Sequence, residues 1–294
     1  MKWKAIGALA LTTILFSTFE VVSRLIAFDI EPLQVNFLRF IIGGLALLPL
    51  AIMDMRKQSI RLDGGDFKNL LWLGLLNVTF CLSIFQISIK YIPASAAAVI
   101  FCTNPVFVHI FESWRGGHNF SRLQVLGLTS GIIGLFMVMG NEIILGSGSW
   151  KGAGMAVIAS ISYGLYIVQA RDATQKMGSL AVNSLSFILG AIAIIPLLLA
   201  LHIPLFKVEQ QLWPWIIYLS LAVTSLAYYL FLYGLQHLPP GAGSLLFFIK
   251  PVLAAALAAF ALHENLTLLF IMGTIVIIAG LLIYSWGNTD IQTG

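Results

Sequence analysis

Charged side chains are scarce in this chain. Asp, Glu, Lys and Arg together fill 10 % of its 294 positions, against about 25 % in an average soluble domain. That scarcity excludes an ordinary water-facing surface. The formal net charge of +4 is not gathered into a patch, because the basic residues lie scattered between apolar runs, so no nucleic-acid partner is expected. Cysteine is nearly absent, and Cys81 and Cys102 both fall inside apolar runs, which argues against a disulfide framework or a thiolate metal site. Catalytic signatures are missing too. There is no H-E-x-x-H (His263-Glu264 lacks the second histidine), no G-x-S-x-G and no phosphate-binding glycine loop. The chain is therefore expected to be no enzyme, to need no cofactor and to hold no metal, and any transport it performs is expected to be facilitated or ion-coupled. Long loops are also lacking. The only sizeable one runs from Asp54 to Lys68 and carries Arg56, Lys57, Arg61 and Lys68, which leaves no room for a separate soluble module.

Apolar runs fill the space instead. Hydrophobic residues make up 59 % of the chain, and the mean hydropathy is +0.95. About 20 apolar residues span a hydrocarbon core as a helix, and a helix satisfies its own backbone there. Segmenting on charge and on Gly/Pro breaks predicts ten spans, roughly 5–27, 33–53, 69–90, 93–113, 122–141, 150–172, 179–201, 212–234, 238–261 and 267–286. The first is too long for a signal-peptide core and is expected to be retained. With the N-terminus inside, Lys2, Lys4, Arg56, Lys57, Arg61, Lys68, Arg115, Arg122, Arg171 and Lys176 share one side of the membrane. The other side receives Lys90, Lys151, Lys207 and Arg24. The imbalance places both termini in the cytoplasm.

The halves of the chain repeat each other. An offset of 146 pairs Phe85 with Phe231, Pro93 with Pro239, Phe101 with Phe247, Pro105-Val106 with Pro251-Val252, Gly127 with Gly273 and Gly134 with Gly280. Near the start of each half the offset is 147, pairing Trp3-Lys4 with Trp150-Lys151, Gly7 with Gly154 and Arg24 with Arg171. Prolines, glycines and a Trp-Lys pair do not fall into one register by chance. The expected fold is an all-α polytopic membrane protein with ten transmembrane helices in two five-helix units, residues 1–146 and 147–294. Five is odd, so the second unit enters the membrane from the opposite side, an inverted-topology repeat of the kind found in many secondary transporters. Channels use the same device.

Ten spans in two repeats, each with a proline-led helix and a central Asn104-Pro105-Val106 or Lys250-Pro251-Val252, resemble the EamA-type members of the drug/metabolite transporter superfamily. Phe37-Leu-Arg39-Phe40, Glu264 after the ninth span and the Gly-x6-Gly closing each half add to the resemblance, which covers the whole chain. His118 stands where the first repeat commonly has a glutamate. The resemblance implies a 5+5 carrier of small metabolites, often amino acids, in a bacterial inner membrane, most similar to aromatic amino-acid exporters.

Polar residues inside the spans are the candidate site. Lys250, before a proline in an apolar helix, is a cation at bilayer depth and so a functional candidate. Pro251 denies the Phe247 carbonyl its usual donor, which predicts a locally opened helix able to receive a carboxylate. Its plain alternative is a buried ion pair with Glu20 or Glu112. Asn104 holds the equivalent place in the first half. Thr13, Ser17, Glu20 and Arg24 lie along one helix face. Glu20 reads as a coupling proton carrier or an anchor for a substrate ammonium, or else as half of an i, i+4 pair with Arg24. A second stripe holds Thr79, Ser83, Gln86 and Lys90; Thr79 and Ser83 suit interhelical hydrogen bonds, and Gln86 the cavity. Arg39 is either a site residue or a side chain snorkelling to an interface. Tyr163, Tyr166, Tyr229 and Phe248 could stack on an apolar substrate or simply pack. Gly127, Gly131 and Gly134 suit close helix packing or a homodimer.

The leading expectation is a carrier embedded in the lipid bilayer that binds a small zwitterion or carboxylate between Glu20 and Lys250 and exports it by alternating access. An inverted-repeat channel is the second reading, and a membrane-embedded enzyme or scaffold the third.

Overall fold

Each apolar run folds as a helix, and the breaks fall where proline, glycine or short polar side chains interrupt it. The structure, a computed structural model, describes residues 2–116, 122–144, 149–237 and 245–292. All regular structure among them is helical: α1 Lys2–Leu25, α2 Pro32–Lys57, α3 Gly64–Tyr91, α4 Ala94–Phe101, α5 Asn104–Gly116, α6 Arg122–Ile144, α7 Trp150–Met177, α8 Ser179–Ala200, α9 over 213–237, α10 Leu245–Leu262 and α11 Leu268–Gln292. Seven helical segments are long and apolar enough to cross a membrane, α4 and α5 counting as one of them, and α6, α10 and α11 contribute shorter apolar helices.

Local chemistry explains the boundaries. Pro32 and Pro214 sit at helix starts, where the missing N–H would have no partner anyway. Asp63 accepts from the Asp66 amide while Asp66 accepts from the Asp63 amide, a reciprocal capping box that opens α3. α2 and α8 end alike: Ser59 and His202 adopt positive φ, and the amides of Ile60 and Ile203 reach back to the carbonyls of Met55 and Leu198. Gly178 alone separates α7 from α8, with φ of +78°, a backbone region that favours glycine.

The predicted opening of the helix at Lys250-Pro251 is not where the chain breaks. α10 runs unbroken through Pro251. The break falls in the first half, at Cys102 and Thr103 between α4 and α5. The reason lies in the side chains. Asn104 Nδ2 donates to the Phe101 carbonyl that Pro105 leaves without an amide, at 2.8 Å, and Ser160 Oγ donates to it at 3.3 Å. Thr103 Oγ1 takes the Ile100 carbonyl at 2.7 Å. Short Thr and Asn side chains can replace backbone donors in this way. Lys250 has no such option, because its ammonium is engaged elsewhere.

Wider π-helical turns run through Leu75–Leu82 of α3 and Tyr218–Leu226 of α9. Ser83 donates to Val78 O and Asn36 Nδ2 donates to the same carbonyl, while Thr224 and Ser225 donate to Leu219 O and Ser220 O. Side-chain hydroxyls thus satisfy the carbonyls that the wider turns displace.

Lipid gives no hydrophobic reason for helices to associate, so close van der Waals approach at small residues holds them. Four such glycine contacts come in exchanged pairs. Gly43 packs on Ser220 and Thr224, while Gly190 packs on Gly74 and Val78. Ser225 donates to Gly43 O at 2.9 Å, while Thr79 donates to Gly190 O at 2.8 Å. Gly134 meets Gly273, while Gly280 meets Gly127. In every pair one contact becomes the other when residues are exchanged by the offset of 146 or 147. The glycine face predicted for packing or dimerisation is therefore covered by α11 of the same chain. Pro49 and Pro196, inside α2 and α8, are related by the same offset.

Candidate functional site

A cavity of about 420 Å³ lies between α1, α2, α3, α5, α7, α8, α9 and α10. Its inner end is walled by Phe16 and Phe19 of α1, Arg39 of α2, Phe85 of α3, Phe101 and Asn104 at the α4–α5 break, and Lys250 of α10. Tyr163, Tyr166, Tyr228 and Phe231 line its flanks. Its mouth is formed by Glu112, Arg171, Thr174 and Ser179, where Arg171 donates to Glu112 at 3.2 Å with two-thirds of its side chain exposed (66 %). Arg115 pairs with Asp172, and Lys176 with Asp66, at the same end of the bundle.

The opposite end is sealed. Arg24 donates to the carbonyls of Ile89 and Lys90 at 2.6 and 2.8 Å. Glu264 accepts from the Ala94 and Ser95 amides and the Ser95 hydroxyl, so a carboxylate caps the N-terminus of α4, where the helix dipole favours it. Gly152 packs on Tyr91 and Ile92, and stacked Phe85 and Phe101, with ring centroids 4.1 Å apart, close the cavity floor.

Three charged groups meet at the inner end. Lys250 Nζ donates to Glu20 Oε1 at 2.7 Å, and both side chains are buried, 12 % and 0 % exposed. The ion pair named above as the plain alternative for Lys250 is thus formed, with Glu20 and not Glu112. Lys250 lines the cavity, Glu20 does not, and Glu20 Oε2 has no hydrogen-bond partner. Glu20 does not pair with Arg24, which points into the α3 carbonyls. Arg39 is 4 % exposed and does not snorkel. Its Nε donates to Thr224 Oγ1 at 2.7 Å, and the rings of Phe19 and Phe40 lie 4.1 and 4.7 Å from its guanidinium carbon. Its Nη1 is buried without a partner, as is Asn104 Oδ1.

The structure thus brings Lys250, Asn104, Arg39, Tyr163 and Tyr166 to one cavity, with Glu20 directly attached. Tyr163 and Tyr228 hydroxyls approach to 3.5 Å, and Tyr166 contacts Asn183 Oδ1 at the same distance. Gln86 is elsewhere: it is buried and accepts from Ser23 at 3.3 Å, while its neighbour Phe85 faces the cavity. Tyr229 is 38 % exposed and does not line the cavity. The side chain of Phe248, and His118 altogether, lie outside the described residues. Thr79 and Ser83 are spent on interhelical and turn hydrogen bonds.

Sequence reasoning missed Phe16, Phe19 and Thr224 as neighbours of the site, while Tyr228, one of the late-clustered aromatics that suit stacking, does line it. It also missed Phe85, Phe101 and Phe231, for which a signal existed. Phe85 and Phe231 are repeat mates, and both line the cavity. No group of three or more His, Cys, Asp or Glu among the described residues is arranged to hold a metal ion. Cys102 lines the cavity without such company.

An apolar helical bundle with a one-ended internal cavity and buried charges at its base is the architecture of a multi-pass membrane protein. The chain belongs to the EamA-like transporter family, whose model matches it twice, over residues 3–140 and 150–286. It is similar to an uncharacterized transporter of Clostridium kluyveri, 29 % identical over 93 % of this chain and 90 % of that one. An uncharacterized transporter of Archaeoglobus fulgidus is 28 % identical over 94 % of both chains. A third relative, the uncharacterized transporter YoaV of Bacillus subtilis, is 22 % identical over 86 % of this chain and 87 % of its own. A solved crystal structure shares the fold with a TM-score of 0.68 at 17 % identity, covering 97 % of this chain and 98 % of the other. Membrane transport is the chain's class of function.

Proposed function

We propose that the chain is a secondary carrier, not driven by ATP, that moves small carboxylate-bearing metabolites, amino acids among the candidates, by alternating access. The cavity carries this reading. It reaches from an exposed, charged mouth to buried Lys250, Arg39 and Asn104 and stops at a sealed end. A continuous pore would make a channel; a one-ended cavity suits a carrier caught open to one side.

Ten spans in two inverted five-helix repeats, 1–146 and 147–294, form the proposed moving parts. The seven long helical segments and three shorter apolar ones among the described residues are in keeping with ten crossings. The two family matches and the exchanged helix contacts support two equivalent units. The mouth end carries Arg56, Arg61, Lys68, Arg115, Arg171 and Lys176, which favours its facing the cytoplasm. α1 begins at that end, and α11 ends there, since Gly280 meets Gly127 near the start of α6. Both termini are then cytoplasmic, the membrane is a plasma membrane (the inner one in a cell with two), and a cavity loaded from the cytoplasm fits export.

Flux into proteoliposomes tests the proposal. Radiolabelled amino acids and organic acids should move with saturation and counterflow, and Lys250→Ala should lower the rate at least tenfold. Non-saturating flux without counterflow would establish the channel reading instead.

A further inference from the structure

The charges around the cavity do not cancel. At the mouth Arg171 is paired with Glu112. At the base Lys250 is paired with Glu20. Arg39 remains, and among the described residues no carboxylate lies within ion-pair distance of it. Thr224 holds its Nε, and the Phe19 and Phe40 rings pack on it, so the guanidinium is fixed in place. Such rings offset a buried cation only in part. Its Nη1 is buried and unpartnered, and Arg39 is one of the residues that line the cavity.

A fixed guanidinium with unspent N–H donors on Nη1 matches a carboxylate, the charged acceptor that arginine hydrogen-bonds most strongly. An ammonium finds no equivalent. Glu20 is fully buried, does not line the cavity and has committed Oε1 to Lys250. A ligand amine at the base would face two cations, Lys250 and Arg39. The remaining wall is aromatic, with Phe16, Phe85, Phe101, Tyr163 and Tyr228 around the space, and rings favour offset or edge contact with another ring. The cavity volume of about 420 Å³ falls within the range of small-ligand sites.

We infer that the cavity selects monoanionic carboxylates bearing an aromatic ring over zwitterions and amines of the same shape, with Arg39 receiving the carboxylate. The inference rests on the carrier reading above and narrows it, setting amino acids behind their deaminated analogues.

Three probes share one ring and a two-carbon chain and differ in charge: 3-phenylpropionate, phenylalanine and phenethylamine. Their equilibrium binding to the purified full-length protein in detergent, and their flux in proteoliposomes, are measured side by side. 3-Phenylpropionate should bind at least tenfold more tightly than either of the others. Arg39→Gln should weaken it at least tenfold, and Arg39→Lys should recover part of the loss. If Arg39→Gln is not monodisperse, Thr224→Val, which releases Nε, should weaken anion binding without creating affinity for phenethylamine. Equal or tighter binding of phenylalanine or phenethylamine overturns the inference, as does unchanged anion binding in a folded Arg39→Gln or Thr224→Val protein. Binding of none of the three overturns it too. Saturable flux of phenylalanine alone would sink the anion preference and leave the carrier standing; lack of saturable flux for every metabolite tested would sink the carrier.

Discussion

Lys250 and Glu20 could not be buried separately. Removing one partner of a buried pair strands the other charge, which costs about 3–5 kcal/mol, whereas replacing both with apolar or neutral groups is often tolerated. Lys250→Met and Glu20→Gln should each destabilise the protein by about 3 kcal/mol, and the double variant should lose less than either single one. Chemical unfolding in micelles measures the three values, and simple additivity would show that the pair is not coupled. Both residues stood out in the sequence because charge in an apolar run is anomalous. Arg39 stood out for the same reason, but its depth did not, since a long side chain can in principle snorkel. Thr224, which fixes Arg39, was illegible. A π-helical turn sets where its hydroxyl points, and no residue pattern in the chain announces that turn. Gln86 suits the cavity by its polarity, whereas the helix turns its neighbour Phe85 to the cavity and Gln86 to Ser23.

Helix positions were legible to within a few residues, because length, hydropathy and Gly/Pro punctuation decide them. The sequence points to an opening at Lys250-Pro251 because Pro251 takes the donor from the Phe247 carbonyl, yet Pro105 does the same to Phe101 in the first half. The deciding factor was whether neighbouring side chains could replace the lost backbone donors, which Thr103, Asn104 and Ser160 can. Close crossings carry their own prediction. A methyl group at Gly190 would meet the backbone of Gly74, so Gly190→Ala should destabilise by about 1–3 kcal/mol, the usual range for overpacking. Gly7→Ala, in open space, should be neutral or slightly stabilising. Thermal midpoints compare them, and equal midpoints would refute the role given to the crossing. At the start of α3, the Asp66 amide, with help from Lys176, holds the Asp63 carboxyl below its usual range. A depressed folded-state value contributes stability at neutral pH that is lost as pH falls through it. The wild-type midpoint should therefore fall more steeply than that of Asp63→Asn below about pH 4, the ordinary carboxylate range; parallel curves would rule the cap out as the cause.

On the scale of the molecule, the repeat in the sequence was the strongest guide, since prolines and glycines in one register survive apolar drift. It could not say which helices touch. The glycine contacts described above have twins with the halves exchanged, and this follows from how α2 meets α9, α8 meets α3 and α6 meets α11 in space. Arg24 and Arg171 occupy equivalent places in that register, yet they do different things. Arg24 is docked on the C-terminal carbonyls of α3 at the sealed end, while Arg171 stands exposed on Glu112 at the mouth. Arg24→Ala should loosen the sealed end. A cysteine placed at Ile30, in a chain lacking Cys81 and Cys102, should then react faster with a membrane-impermeant maleimide, while one at Thr174 should react quickly with or without the change. Unaltered labelling at Ile30 would remove Arg24 from the seal.

The two arginines are thus one bolt cut twice, thrown at one end of the bundle and drawn back at the other. In the carrier proposed above, these two ends of one conformation would be the two settings of the same contact. On that proposal, the counterpart of the docked Arg24 would be Arg171 released from Glu112 and turned toward the end of α9, the repeat mate of the α3 terminus that Arg24 holds.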